Sequence, residues 1–194
     1  MSDIHFDPFV ADGAARLSPI GRDTTTALLA SSLAAVARVA ADADLVLVPG
    51  DFLAHDFSTK ARGHGPEAAM RTTVQVADAL AAALPGKPIF VALGNEDSAC
   101  GDYRIDPNGP YLAATRDTVR RLAGSWLEPD FEATWTATGS YAARHPTVPN
   151  GLILVLNDVL WSPLYRDDCR APGQPDGTAA ADALLDWLRE RLAR

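Results

Sequence analysis

Cysteine is scarce in this chain: Cys100 and Cys169 are the only two among 194 residues. Two cysteines cannot build a disulfide scaffold, and their wide separation is unlike a zinc-knuckle spacing. They either form one bridge or stay as two buried thiols. Long apolar runs are also missing, and no stretch approaches the roughly 18 consecutive apolar residues that cross a bilayer. The opening Met1-Ser2-Asp3-Ile4-His5 has neither the basic region nor the apolar core of a signal peptide, a feature a mature protein would share. Basic charge is in deficit, with 17 Lys and Arg against 25 Asp and Glu, a net charge of −8 and a pI near 4.8. That balance argues against nucleic acid or an anionic membrane as a partner bound through surface charge. A single phosphate needs only a local positive charge. No glycine-rich segment ends in the Lys-Ser/Thr of a phosphate loop, and no Gly-x-Ser-x-Gly occurs. Nucleoside-triphosphatase and Ser-His-Asp hydrolase readings therefore lack support.

The chain does have enough apolar residues to fold. Its 47% hydrophobic content excludes wholesale disorder, and the length suits a single domain over residues 1–194. Residues 44–49, 89–93 and 152–156 read as short buried strands, with Ser140 to Arg144 as a weaker one. Helices alternate with them. Asp23 is positioned to cap one running to about Ala41, with Leu29, Leu33, Val36 and Ala40 on one face. Pro66 opens a second that ends near Leu84, with Val74, Ala77, Leu80 and Ala81 inward. A third spans Tyr111 to Leu122. A fourth follows Asp176-Gly177-Thr178 and runs to the last residue with Leu184, Leu188 and Leu192 stacked. Ala171 to Gly177 reads as a loop. This alternation predicts an α/β fold with a largely parallel central sheet.

Ligands of such sheets bind beyond the carboxyl ends of the strands. Gly50-Asp51 follows the first strand there, and Gly94-Asn95-Glu96-Asp97 follows the second. Asp3-Ile4-His5 forms a third polar cluster. In an extended segment residues i and i+2 point the same way, so the Asp3 carboxylate and the His5 imidazole would converge on one cation. Each cluster alone is ambiguous, since Asp-x-His arises by chance and Gly-Asp is a common turn. Their order on this strand pattern is specific.

The set resembles the calcineurin-like metallophosphoesterases, whose motifs run Asp-x-His, Gly-Asp and Gly-Asn-His-Asp/Glu. Within that family the segments around Asp3-Ile4-His5-Phe6-Asp7-Pro8, Gly50-Asp51-Phe52-Leu53-Ala54-His55-Asp56 and Cys100-Gly101-Asp102-Tyr103 are similar to the acid sphingomyelinase-like phosphodiesterases. Leu160-Trp161-Ser162-Pro163 adds a later segment of the same group. The resemblance implies a layered sandwich of β-sheets flanked by helices and a dinuclear site with two divalent metal ions. Asp3 and His5 would bind the first ion, Asp51 would bridge both and Asn95 would bind the second. The mixed nitrogen and oxygen donors suit zinc, iron or manganese. The substrate would be a small phosphate ester, hydrolysed by metal-activated hydroxide, with His55 as general acid. Sphingomyelin is one option, and relatives act on nucleotides and other phosphate esters.

Two departures stand out. Glu96 occupies the position of the family's Gly-Asn-His histidine, where a carboxylate repels phosphate unless it is protonated or metal-bound. The family's first strand, a further histidine and a Gly-His-x-His block have no counterpart here, so the chain reads as a family member trimmed at both ends. Alternative readings are an inactive remnant serving as a binding or scaffold domain, and a phosphomonoesterase or nucleotide phosphohydrolase. His64 and His145 read as surface residues. Trp126, Trp135 and Trp161 read as core or pocket-rim packing, and Trp187 as packing against a sheet. The resemblance also leans toward an exported or periplasmic protein, with which a Cys100–Cys169 bridge would agree.

Overall fold

A computed structural model describes residues 2–170, 172, 173 and 176–193. Thr25, not Asp23, caps α1 (Thr26–Val39), its hydroxyl accepting the Leu28 N–H at 3.3 Å. Asp23 cannot serve because its carboxylate is held by His55 and Lys60. After α1 come β1 (Val46–Val48), the short α2 (Phe57–Lys60), α3 (Ala68–Ala83) and β2 (Ile89–Val91). The buried face of α3 includes Thr73, Val76, Ala77 and Leu80, while Val74 and Ala81 are half-buried, so its register is turned from the predicted one. Further along are α4 (Pro110–Ala123), α5 (Phe131–Thr138), β3 (Tyr141–Arg144), β4 (Leu152–Val155) and α6 (Gly177–Leu192).

The α/β class holds, but a single largely parallel sheet does not form among the described residues. β1 and β2 pair in parallel, Leu47 opposite Phe90, whereas β3 and β4 form a separate antiparallel pair. The connections explain the split. The α2–α3 crossover is long enough to return the chain in the same direction, while residues 145–151 can only reverse it. His145 belongs to that reversal, its Nδ1 accepting the N–H groups of Thr147 and Val148. His64 is exposed and stacks on Phe9 at 4.0 Å.

The two strand pairs are tied by a side chain. The fully buried Tyr141 hydroxyl accepts the Val91 N–H at 2.9 Å and donates to the Val91 carbonyl at 3.1 Å. Tyr141→Phe leaves both backbone groups buried and unpaired. It is expected to lower unfolding stability by about 2 kcal/mol, measured by urea titration. Trp135 is likewise fully buried, with its indole N–H on the Leu112 carbonyl at 2.9 Å.

Helix α6 begins at Gly177, two residues before the predicted start, with Asp176 Oδ1 accepting the Ala179 N–H at 2.7 Å. Its expected apolar stripe fades outward: Leu184 is buried, Leu188 half-buried and Leu192 exposed. Residue 194 and parts of the Ala171–Gly177 loop lie outside the described residues. Trp187 is half-buried against the core. It donates to Asp130 Oδ2 at 3.2 Å, beside the buried guanidinium of Arg191, and this joins α6 to the start of α5.

Burial pushes the Asp130 carboxyl up, but the Trp187 and Arg191 hydrogen bonds outweigh it and hold the group below its ordinary value. A depressed carboxyl stabilises the fold above its unfolded value of about 4, and the contribution is lost as pH falls through the folded value. Asp130→Asn should therefore cost about 1–2 kcal/mol at pH 7, and progressively less below about pH 4. Denaturant titrations at the two pH values measure that difference.

Candidate metal centre

Three chain segments meet at the carboxyl ends of β1 and β2. The N-terminal segment joins the loop after β1 through His5 N–H to Asp51 O at 2.8 Å and Phe6 N–H to Phe52 O at 2.9 Å. The loops after β1 and β2 touch because both carry glycine. A Cβ on Gly50, whose φ is +108°, would collide with the Gly94 backbone, and one on Gly94 with the Asp51 carboxylate. Beneath them the buried Asp97 accepts N–H groups from Phe52 at 2.8 Å, Leu53 at 3.3 Å and Gly94 at 2.9 Å, locking the two loops together. Burial pushes this carboxyl up to about 7 against the pull of the Gly94, Phe52 and Leu53 donors.

Asp3, His5 and Asp51 do converge, with one donor atom from each lying within 4.8 Å of the others. They converge in an unexpected way. Asp3 and His5 are not extended; their φ values are +53° and +42°, and that of Asp51 is +55°. Strand alternation is therefore not what aims Asp3 and His5 at each other. A kinked left-handed segment does so, at a backbone cost of order 1–3 kcal/mol per residue. Asp56 and Tyr103, beside the site, also have positive φ, so five of the seven non-glycine residues with positive φ among the described residues cluster here. Strain concentrated in one place suggests a function for that place.

The donor atoms are presented singly. His5 Nδ1 faces the Leu53 carbonyl at 3.1 Å, so this nitrogen carries the proton and Nε2 is free, 4.0 Å from Asp3 Oδ1. Asp51 Oδ1 accepts the Glu96 N–H at 3.1 Å, leaving its second oxygen. Asn95 donates its amide N–H to Asp102 Oδ1 at 2.8 Å, which leaves its carbonyl oxygen. Asp51 and Asn95 line one cavity of about 500 Å³ with Leu93, Tyr103 and Trp161. Trp161 is thus a rim residue, with its indole N–H on the Ala181 carbonyl at 3.2 Å.

His55 stacks on His5 with ring centroids 4.0 Å apart. Its Nδ1 lies 2.7 Å from Asp23 Oδ1, and that hydrogen bond raises the imidazole above its ordinary value against the pull of burial. Asp23 also binds Lys60, which lies 3.2 Å from Asp7. Burial pushes Asp23 up, but the hydrogen bonds from Lys60 and His55 prevail and hold it down. His5, Asp23 and His55 also lie close enough together to hold an ion. Lys60 already neutralises Asp23, so this second group is a hydrogen-bonded support for His55 and not a cation site.

Glu96 is buried, and its Oε2 has no hydrogen-bond partner among the described residues. Burial first, and then the Asp102 charge, push its carboxyl up to about 7. Sequence patterning did not reveal Asp23, Lys60 or Asp102 as parts of this site. Asp97 occupies the acidic slot of the Gly-Asn-x-Asp motif, where its role could have been read. Cys100 and Cys169 form a disulfide, Cα atoms 6.1 Å apart, so the two thiols are not free.

A family model described as calcineurin-like phosphoesterase matches residues 1–193. No curated protein matches the chain.

Proposed function

The chain belongs to the calcineurin-like phosphoesterase family, and we propose that it is a metal-dependent phosphodiesterase of the acid sphingomyelinase-like group. The family uses divalent metals for phosphoester hydrolysis. The observation that carries the reading for this chain is the convergence of Asp3, His5 and Asp51, the last of which also lines a cavity with Asn95.

The donor set fits a divalent cation. Each of these side chains except Asp3 has one polar atom committed to the protein and another left free. In this reading Asp3 and His5 would hold one ion and Asn95 a second, with Asp51 available to both. One imidazole among oxygen donors favours zinc, iron or manganese. When bound, the ions supply Lewis-acid polarisation of the phosphoryl group and a nucleophile at neutral pH.

The protein's own groups do the rest. Asp23 holds the His55 ring through Nδ1, so the Nε2 proton is the one available to a departing ester oxygen. Glu96, at the family's histidine position, offers a carboxyl whose Oε2 has no hydrogen-bond partner among the described residues. Tyr103 and Trp161 wall the cavity where a substrate substituent would lie. The disulfide supports an exported or periplasmic location.

A second reading has its own observation. The described donors number one imidazole, two carboxylates and one amide, few for two ions, and the Asp3 side chain is 67% exposed. This favours a binding domain without turnover. Metal analysis of purified protein, paired with aryl phosphodiester and aryl phosphomonoester assays, separates the readings. Two bound ions and metal-dependent diester cleavage support the phosphodiesterase. Cleavage of the monoester alone makes it a phosphomonoesterase. Less than half an equivalent of metal with no turnover supports the binding domain.

A further inference from the structure

We propose that Asp102 is the positioning residue for Asn95, holding its amide so that the carbonyl oxygen, and not the NH₂ group, faces the cation. The inference rests on the reading of Asn95 as a metal ligand. A carboxamide has one end with lone pairs and one without, and the two are nearly equal in size. Only Oδ1 can ligate a cation, and a half-turn about the last side-chain bond puts NH₂ in its place. Something must therefore choose the orientation. The choice falls to Asp102, whose carboxylate accepts the Asn95 N–H at 2.8 Å. A carboxylate has no hydrogen to offer the opposite amide orientation, so it selects this one.

Asp102 is exposed, and an isolated solvent-facing hydrogen bond would hold an amide weakly. Here the loop around it is fixed by bonds that do not involve the Asn95 side chain. The Cys100–Cys169 disulfide closes one side. Ser98 Oγ accepts the Cys100 N–H at 3.0 Å and donates to the Arg104 carbonyl at 2.8 Å. Tyr103, at φ +54°, donates its N–H to the Asn95 carbonyl at 2.9 Å and accepts the Arg166 N–H, also at 2.9 Å. The carboxylate is thereby held over one end of the amide. Outer-shell partners of this kind orient ligands at other metal sites, and their removal there weakens binding by about 10–100-fold.

The test is Mn²⁺ titration of metal-free protein by calorimetry, comparing wild type with Asp102→Ala and Asp102→Asn. Far-UV circular dichroism and melting temperature without metal confirm that each variant is folded. Asp102→Ala should weaken one Mn²⁺ site by about 10–100-fold. Asp102→Asn has an NH₂ of its own that can donate to the flipped amide, so it loses the selection and should also weaken the site. In an Asn95→Asp background, where either side-chain oxygen can ligate, Asp102→Ala should weaken binding no further. If Asp102→Ala binds Mn²⁺ as wild type does, the inference is overturned while the metal site stands. Further weakening by Asp102→Ala in the Asn95→Asp background also overturns it, because the carboxylate would then act by charge alone. A wild type that takes up no Mn²⁺ overturns both this inference and the functional reading beneath it.

Discussion

Asp51→Asn is expected to reduce metal-dependent phosphodiester cleavage by about 10³-fold or more. In the proposed site Asp51 would serve both ions, so its loss would remove charge from both proposed positions. Losing about 4 kcal/mol of transition-state stabilisation corresponds to that factor. Asparagine is the informative replacement. It tolerates the left-handed backbone at φ +55°, and its carbonyl can still accept the Glu96 N–H. The fold should therefore survive, with at least one fewer metal equivalent bound. Steady-state kinetics and metal analysis on the same preparation measure both effects. Turnover within about tenfold of wild type would show that Asp51 does not hold the reacting centre. Asp51→Ala is less useful, because alanine at this φ adds strain unrelated to the metal.

Removing the disulfide should produce the largest loss of stability. The Cys100–Cys169 bridge closes a loop with a sequence separation of 69 residues. In the chain-entropy account such a loop restricts the unfolded chain by about 4 kcal/mol. The double variant Cys100→Ser/Cys169→Ser should therefore unfold at lower denaturant, with a melting temperature lower by roughly 10 °C. Comparing it with the oxidised protein in guanidinium titrations measures the difference. Equal stability would mean that contacts between the two loops already hold the ends together without the bond. The bridge also bears on the site, since it holds the loop from which Asp102 reaches Asn95.

Much of this architecture was legible residue by residue. Apolar runs located β1, β2, β3 and β4, and the start of α6 was readable from Asp176, a good N-cap before a helical pattern. Asp51 and Asn95 are legible as candidate ligands because each follows a glycine at a strand end, and ligands gather there. At Asp23 the local pattern and the structure differ for an intelligible reason. A carboxylate two residues before a helix has the composition of a cap, and nothing local indicates that His55 and Lys60 will reach it from 32 and 37 residues away. Asp102 was hidden in the same way, by a bond that depends on how its loop folds back.

The sequence by itself determined which residue types stand at the ends of which strands, and hence the candidate metal donors and the family resemblance. Those are properties of short windows, governed by hydrophobic period and by the donors each side chain carries. Only the tertiary structure decided that Asp3 and His5 converge through left-handed backbone and that the strands split into two pairs. It also decided that the two cysteines join and that a buried Asp97 locks the glycine loops together. Each of these depends on groups far apart in the chain, where the energy lies in contacts that no local pattern encodes.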